Sequence, residues 1–147
     1  MENLELAIQE IKEAMPGLTL LENEPMSGHC SFRIGGPARA LAVPRDITGL
    51  TQICYLLKKH ELAPYILGNG TNILFPDEGL KDLFLISTEK LDKIFLLPDG
   101  AVYAEAGVSL SKLATFALIA ANFAPKQVRD TVACGMTLPS SKSAMLM

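Results

Sequence analysis

Residues 64–75 read Pro-Tyr-Ile-Leu-Gly-Asn-Gly-Thr-Asn-Ile-Leu-Phe, a polar glycine loop held between two apolar anchors. The apolar run Tyr65–Leu67 predicts a short buried strand, which stops at the glycines on either side of Asn69. Glycine permits positive φ and close approach to the backbone, and successive N–H groups in such a turn can form an anion-binding concavity. Thr71 and Asn72 add hydrogen-bond donors without negative charge. The stretch therefore indicates either a phosphate-binding loop or an ordinary tight turn.

The loop matches neither of the common nucleotide-binding patterns. Ile73 stands where the dinucleotide-binding pattern G-x-G-x-x-G has its third glycine, and no Gly-Lys-Ser/Thr follows as in a P-loop. A phosphate loop of another type therefore stays open beside the simple turn.

The composition is that of an ordinary globular protein. The chain has 147 residues, 49% hydrophobic and 20% charged, which suffices for one domain with a core or two small lobes. A net charge of −3 without a basic stripe argues against nucleic-acid binding, and the absence of tryptophan argues against a base-stacking platform. The three cysteines are widely spaced and form no Cys-x-x-Cys pair, and the adjacent His29-Cys30 is interpreted as a loop coincidence, so no convincing metal site is predicted. The cysteine usage favours a reducing, intracellular compartment.

No segment of the sequence predicts a membrane protein. The N-terminus, Met-Glu-Asn-Leu-Glu-Leu, is acidic and amphipathic, unlike a signal peptide. The apolar run around Ala114–Ala121 is too short to span a bilayer. We therefore expect a cytoplasmic protein that has no membrane partner.

The first half of the chain predicts a parallel β-α-β unit. Apolar residues recur at helical spacing over Leu4–Met15, and Leu18–Met26 follows as a solvated connection without clear periodicity. Ala38–Val43 predicts a strand, and Asp46 can cap the next helix. The strand Tyr65–Leu67 then completes the unit and delivers the glycine loop.

The second half predicts antiparallel structure, which makes the whole an α+β fold. Leu83–Ile86 predicts a strand, and Lys93–Leu97 with Ala101–Ala106 predicts a hairpin, on which Glu105 is expected to face solvent. Ser109 can cap a further helix, which is nearly uncharged and is therefore expected to be well buried.

Arg33 lies beside the turn predicted at Gly35-Gly36-Pro37. A basic side chain there would suit a phosphate, but arginines usually lie on the surface, and we favour that interpretation. His60 ends the helix that begins at Asp46, where a cation suits the helix dipole, so a structural role is expected.

Three stretches, in this order, resemble the UDP-N-acetylenolpyruvoylglucosamine reductases, also called UDP-N-acetylmuramate dehydrogenases. They are Ser-Phe-Arg-Ile-Gly-Gly-Pro-Ala at 31–38, Leu-Gly-Asn-Gly-Thr-Asn-Ile-Leu at 67–74 and Ala-Gly-Val-Ser-Leu at 106–110. The first two together are specific to the family, whereas the third is weak alone. The resemblance covers roughly residues 18–124.

The resemblance implies an FAD-binding domain of the PCMH, or vanillyl-alcohol-oxidase, type, in which a small parallel lobe and a larger antiparallel lobe hold the cofactor. Through that flavin, NADPH reduces the enolpyruvyl ether of a UDP-sugar to a lactyl ether, a cytoplasmic step of peptidoglycan synthesis and hence of cell-wall biogenesis. The 68–72 loop would cradle the diphosphate of FAD. The residues implied to bind the cofactor are Ile34, Gly35, Leu67, Gly68, Asn69, Gly70, Thr71, Asn72 and Gly107.

The resemblance weakens towards the end of the chain. Arg129-Asp130-Thr131 replaces the family's Gly-Leu-Glu, and Gly135–Met147 lacks most glycines of its next loop. The family's catalytic residues would lie beyond Met147, so none is carried over. We therefore expect a truncated domain that is inactive alone and binds FAD weakly or not at all. Its predicted parts are a helix and connection at 1–26, an incomplete FAD-binding domain at 27–124 and a divergent tail at 125–147.

Three other interpretations remain open. The chain could be a non-catalytic flavin- or nucleotide-binding module completed by a partner chain or a second copy, which an exposed apolar patch near Ala114–Phe123 would favour. It could be the FAD subunit of another oxidoreductase of this fold, such as the molybdenum hydroxylases, although the match at 31–37 disfavours this. The least specific interpretation is a β-α-β protein whose glycine loop is only a turn.

Overall fold

The computed structural model describes residues 2–123, which combine α-helices with a mixed β-sheet and confirm the α+β class. The chain divides into two compact units, Met1–Asp92 and Lys93–Met147. The tail predicted at 125–147 lies outside the described residues. The elements are α1 (Glu2–Ala14), β1 (Thr19–Pro25), β2 (Pro37–Val43), α2 (Ile47–Lys59), β3 (Tyr65–Leu67), β4 (Leu80–Ser87), β5 (Ile94–Leu96), β6 (Val102–Ala104) and α3 (Leu110–Phe123).

The first unit is built on one four-stranded sheet with the order β1-β2-β4-β3. Strands β2 and β3 both run parallel to β4, whereas β1 pairs with β2 in the antiparallel sense. The predicted crossover from β2 through α2 to β3 is therefore present. However, β4 lies between β2 and β3 and is parallel to both. The expectation that this strand belongs to the antiparallel structure after the parallel unit was therefore wrong.

The two faces of this sheet are covered differently. Helices α1 and α2 cover one face, where Ala40 and Ala42 of β2 leave room for Phe84 and Ile86 of β4 and for the apolar sides of both helices. Leu41, on the opposite face, packs instead against loop residues. The loop-covered core contains Met26, Cys30, Ala38, Leu41, Val43, Leu67, Phe75 and Leu85. Because α1 and α2 lie on the same side, the other side is left to the connections that carry the glycine motifs.

Helix α2 begins and ends as its sequence predicts. The Asp46 side chain accepts a hydrogen bond from the Gly49 N–H at 2.8 Å. At the other end, His60 caps α2, and its Nε2 lies 2.6 Å from Glu10 Oε2. Hydrogen bonds from Lys59 and His60 hold the pKa of Glu10 below its ordinary range. The structural role expected for His60 therefore consists of joining α2 to α1.

Residues 18–26 were expected to form a solvated connection without periodicity, but the structure has strand β1 there. Its charged residues are used at the sheet edge, since Glu22 accepts hydrogen bonds from Lys12 and from Arg39 Nη1, the latter at 3.0 Å. Arg39 also donates to Glu5 at 2.6 and 2.5 Å. Asn23 has φ +52 and is absent from the regular pairing with β2. This irregularity interrupts the alternation of side chains along β1, so the sequence does not show the period of two that is typical of a strand.

The second unit contains the predicted hairpin, β5 and β6, in which the Phe95 and Tyr103 rings stack at 4.6 Å. Two expectations for this unit were wrong. Glu105 is 6% exposed rather than solvent-facing, because its carboxylate accepts the Lys93 N–H at 2.9 Å. Helix α3 is not well buried among the described residues, since Leu118 is 66% exposed.

Candidate functional site: a phosphate-binding cleft

The two family-like stretches of the first unit lie side by side on the loop-covered face. The Ser31 N–H donates to the Gly70 carbonyl at 2.9 Å, and the Gly36 N–H donates to the Pro76 carbonyl at 2.9 Å. Between these bonds, Gly35 packs directly on Phe75. Two segments that are far apart in the sequence therefore form one paired loop structure.

A cleft of about 480 Å³ opens where these loops meet the carboxyl ends of β3 and β4. Ligands of open α/β sheets bind at the carboxyl ends of parallel strands, so this position is the one expected for a binding site. The lining consists of Gly28, His29, Cys30, Ser31, Arg33, Leu67, Gly68, Asn69, Ser87 and Glu89.

The glycine loop offers backbone donors at this cleft. Within residues 2–123, the N–H groups of residues 68–72 donate to no protein acceptor. Four of these five residues are exposed, so water or a ligand can accept from their N–H groups. Such successive donors suit an anion, as the sequence of the loop predicts. Gly68 and Asn69 present theirs in the cleft lining itself.

The two glycines of the loop are required for different reasons. Gly70 has φ +61, and a Cβ there would overlap the His29 carbonyl oxygen and lie 3.0 Å from Cys30 Cα. Gly68 does not have positive φ, and a Cβ there would meet no protein atom within 4 Å. Gly70 thus allows the two loops to approach each other, whereas Gly68 borders open space that a ligand could fill.

The structure brings most of the predicted cofactor residues to one region. Leu67, Gly68 and Asn69 line the cleft. The loop continues through Gly70, Thr71 and Asn72, while Ile34 and Gly35 lie on the neighbouring loop, where Ile34 is exposed. Gly107 belongs to the second unit, between β6 and α3. Tyr65 and Ile66 are exposed because β3 is short and lies at the sheet edge, so the predicted buried strand is buried only at Leu67.

Several lining residues were missed by sequence reasoning. Ser87 and Glu89 reach the cleft because β4 is a parallel strand that ends beside β3. Had Leu80–Ser87 been assigned to the parallel sheet, the rule of carboxyl ends would have found both. His29 and Cys30 were considered only as metal ligands. His29 instead pairs with Glu24 Oε1 at 2.9 Å.

Among residues 2–123, no group of three or more histidine, cysteine or acidic side chains could hold a metal ion. In the same residues, no helix has the length and apolar character needed to cross a membrane.

Several curated proteins that the chain matches share one name. No protein-family model matches the chain. It is 36% identical over 115 residues to the UDP-N-acetylenolpyruvoylglucosamine reductase of Caldanaerobacter subterraneus, covering 78% of this chain and 37% of that protein. Identity to the enzyme of the same name from Carboxydothermus hydrogenoformans is 40% over 99 residues, which is 67% of this chain and 32% of that one. Identity to the enzyme of the same name from Alkaliphilus oremlandii is 35% over 107 residues, which is 73% of this chain and 35% of that protein.

The chain thus spans about a third of the length of the curated relatives it matches. Over that third, the matches share one name, and the two stretches that carry the resemblance form a single cleft. By sequence, this chain matches members of the UDP-N-acetylenolpyruvoylglucosamine reductase family over about one third of their length.

Proposed function

We propose that the chain is part of an FAD-binding domain of the PCMH type and that its 68–72 loop binds the diphosphate of FAD. The observation that carries this proposal is the convergence of residues 31–38 and 67–74 on one cleft whose backbone donors have no partner within residues 2–123. FAD carries a diphosphate, which needs neutralising dipoles, and a glycine loop supplies these at little steric cost.

The proposed activity is the family's NADPH-driven reduction of UDP-N-acetylenolpyruvoylglucosamine to UDP-N-acetylmuramate in peptidoglycan synthesis. When bound, FAD would supply the hydride-transfer chemistry between NADPH and the substrate. The roles of this chain's residues are binding and orientation. Leu67, Gly68 and Asn69 form the cleft wall, and Thr71 and Asn72 continue the donor loop. Gly107 remains assigned to the cofactor by the resemblance alone. The substrate and the reaction imply a cytoplasmic protein.

The chain alone is expected to bind FAD weakly, because it matches about one third of the relatives' length and the resemblance implies that a second lobe also holds the cofactor. Each 1.4 kcal/mol of lost contact costs about tenfold in affinity. An absorbance spectrum after adding FAD and desalting should therefore show no retained flavin, while an NMR titration should show weak binding through the amides of residues 68–72. A submicromolar dissociation constant would contradict the expectation of weak binding.

Gly68→Ala tests whether the loop touches the ligand. The added methyl group meets no protein atom within 4 Å, so the free energy of unfolding should change by less than about 0.5 kcal/mol. FAD binding should weaken, because the methyl group would occupy the space left for the diphosphate. Gly17→Ala is the matched control, since Gly17 is equally open and lies outside the cleft lining. If Gly68→Ala and wild type bind FAD equally, the cradle assignment is wrong.

A second candidate function is a module completed by a partner chain or second copy. The apolar side chains of Leu110, Leu118 and Ile119, exposed on α3, support it. Light scattering of the purified chain measures its mass in solution and would test whether two copies associate. A monomer that retains flavin by itself would argue against this candidate.

A further inference from the structure

Arg33 is a cationic side chain in the cleft lining for which residues 2–123 provide no side-chain partner. Within residues 2–123, its guanidinium group makes no hydrogen bond or ion pair with another side chain. His29, the other basic residue of the lining, pairs with Glu24 at 2.9 Å. Arg33 therefore brings an available positive charge to the wall that Gly68 and Asn69 also form.

The backbone of Arg33 is in a conformation that arginine rarely adopts. Its φ is +54, and its N–H donates to the Cys30 carbonyl at 3.2 Å, which closes a turn. Glycine would adopt this conformation without strain, and asparagine more readily than arginine. The position thus carries a charged side chain at a conformational cost, as residues at binding sites often do.

The chemistry around Arg33 suits a diphosphate. The guanidinium group is a planar set of N–H donors that matches phosphate oxygens, and the 68–72 backbone adds uncharged donors. Glu89 lines the same cleft and carries the opposite charge. Its carboxylate would repel a bound phosphate. Removal of the charge of Arg33 should therefore weaken diphosphate binding, whereas removal of the charge of Glu89 should strengthen it.

We propose that Arg33 binds the diphosphate of the ligand that enters this cleft. The identification of that ligand as FAD rests on the proposed function, whereas the binding of a diphosphate by Arg33 does not. A nucleoside diphosphate such as UDP carries the same group, and the test therefore separates the two sources.

The experiment is an NMR titration of the whole chain with pyrophosphate, FAD, UDP and riboflavin. Arg33→Met should weaken pyrophosphate and FAD binding about tenfold, the size expected for one charge-assisted contact. Riboflavin, which has no phosphate, should bind to both proteins alike. Glu89→Gln should strengthen diphosphate binding, and Arg45→Met, at an exposed arginine outside the lining, should change nothing. The affinity of wild type should also fall more steeply with salt than that of Arg33→Met.

A second variant separates binding from folding. Arg33→Gly relieves the strained backbone, so it should raise the melting temperature while it weakens diphosphate binding. One outcome separates the two proposals. If pyrophosphate binding depends on Arg33, but FAD binds no more tightly than pyrophosphate or UDP, the result supports the role of Arg33 and refutes the flavin function. Diphosphate affinities unchanged in Arg33→Met would overturn the inference. The absence of any shift at Arg33 or residues 68–72 with every ligand would overturn it as well.

Discussion

Gly70→Ala should destabilise the first unit by forcing its two paired loops apart. The added methyl group would overlap the His29 carbonyl oxygen and lie 3.0 Å from Cys30 Cα, and neither backbone atom can move by a side-chain rotation. Alanine at φ +61 also adopts a left-handed conformation, which costs about 1–2 kcal/mol for residues other than glycine. Separation of the loops weakens the bond from the Ser31 N–H to the Gly70 carbonyl, worth about 1 kcal/mol.

The two costs sum to about 2–3 kcal/mol, a large part of the roughly 5–15 kcal/mol that stabilises a typical domain. For a unit of this size the loss corresponds to a fall of roughly 8–24 °C in melting temperature. Urea denaturation followed by circular dichroism measures the free energy of unfolding, and amide hydrogen exchange at Ser31 reports the loop contact directly.

Gly68→Ala is the matched control in the same loop, since its methyl group meets no protein atom within 4 Å. The control should lie within about 0.5 kcal/mol of wild type. If Gly70→Ala is equally close to wild type and Ser31 exchanges no faster, then the two loops do not pack as described. Residues 31–38 and 67–74 would then not share a cleft.

Three further predictions concern single contacts, two in the first unit and one in the second. Asp46→Ala should cost about 1 kcal/mol by removing the cap of α2, and Asp46→Asn should cost less because it keeps an acceptor; urea denaturation compares them. Glu105→Ala should cost about 1–3 kcal/mol and speed amide exchange at Lys93, since that N–H loses its acceptor, and equal exchange in both proteins would refute this. The pKa of Glu10 is held below its ordinary 4.5, chiefly by hydrogen bonds, so its stabilising contribution is complete above that value and is lost as the pH falls through the lower folded pKa. Glu10→Gln should therefore make stability less dependent on pH below about 4.5, and an unchanged dependence would contradict the role of its contact with His60.

Local chemistry predicted the elements that depend on neighbouring residues. The cap at Asp46 and the hairpin around residues 98–100 follow from spacing and turn composition, and the structure confirms both. Strand β1 could not be found in this way, because its Glu22 accepts hydrogen bonds from Lys12 and Arg39, residues distant in sequence. Glu105 was misjudged for the same reason, since its partner is the backbone of the opposite strand.

The candidate site was only partly accessible from the sequence. The glycine loop and its suitability for an anion follow from residues 68–72, and the resemblance joins this loop to residues 31–38. The contributions of Ser87 and Glu89 depend on the position of β4 in the sheet, which no local pattern encodes. The unusual φ of Arg33 is likewise set by the surrounding fold, so the sequence alone favoured an ordinary surface arginine. The ligand of this cleft remains a prediction.

The strand order also fixes when the cleft can form during synthesis on the ribosome. Once Phe75 has been made, β3 and both glycine-bearing loops exist, but β3 has no hydrogen-bonded neighbour, because its partner β4 is still missing. The entropy of loop closure over such a sequence separation is lost before the hydrogen bonds of the strand pair can offset it. A nascent chain that stalls before Ser87 therefore contains the complete 67–74 stretch and lacks the strand that positions it.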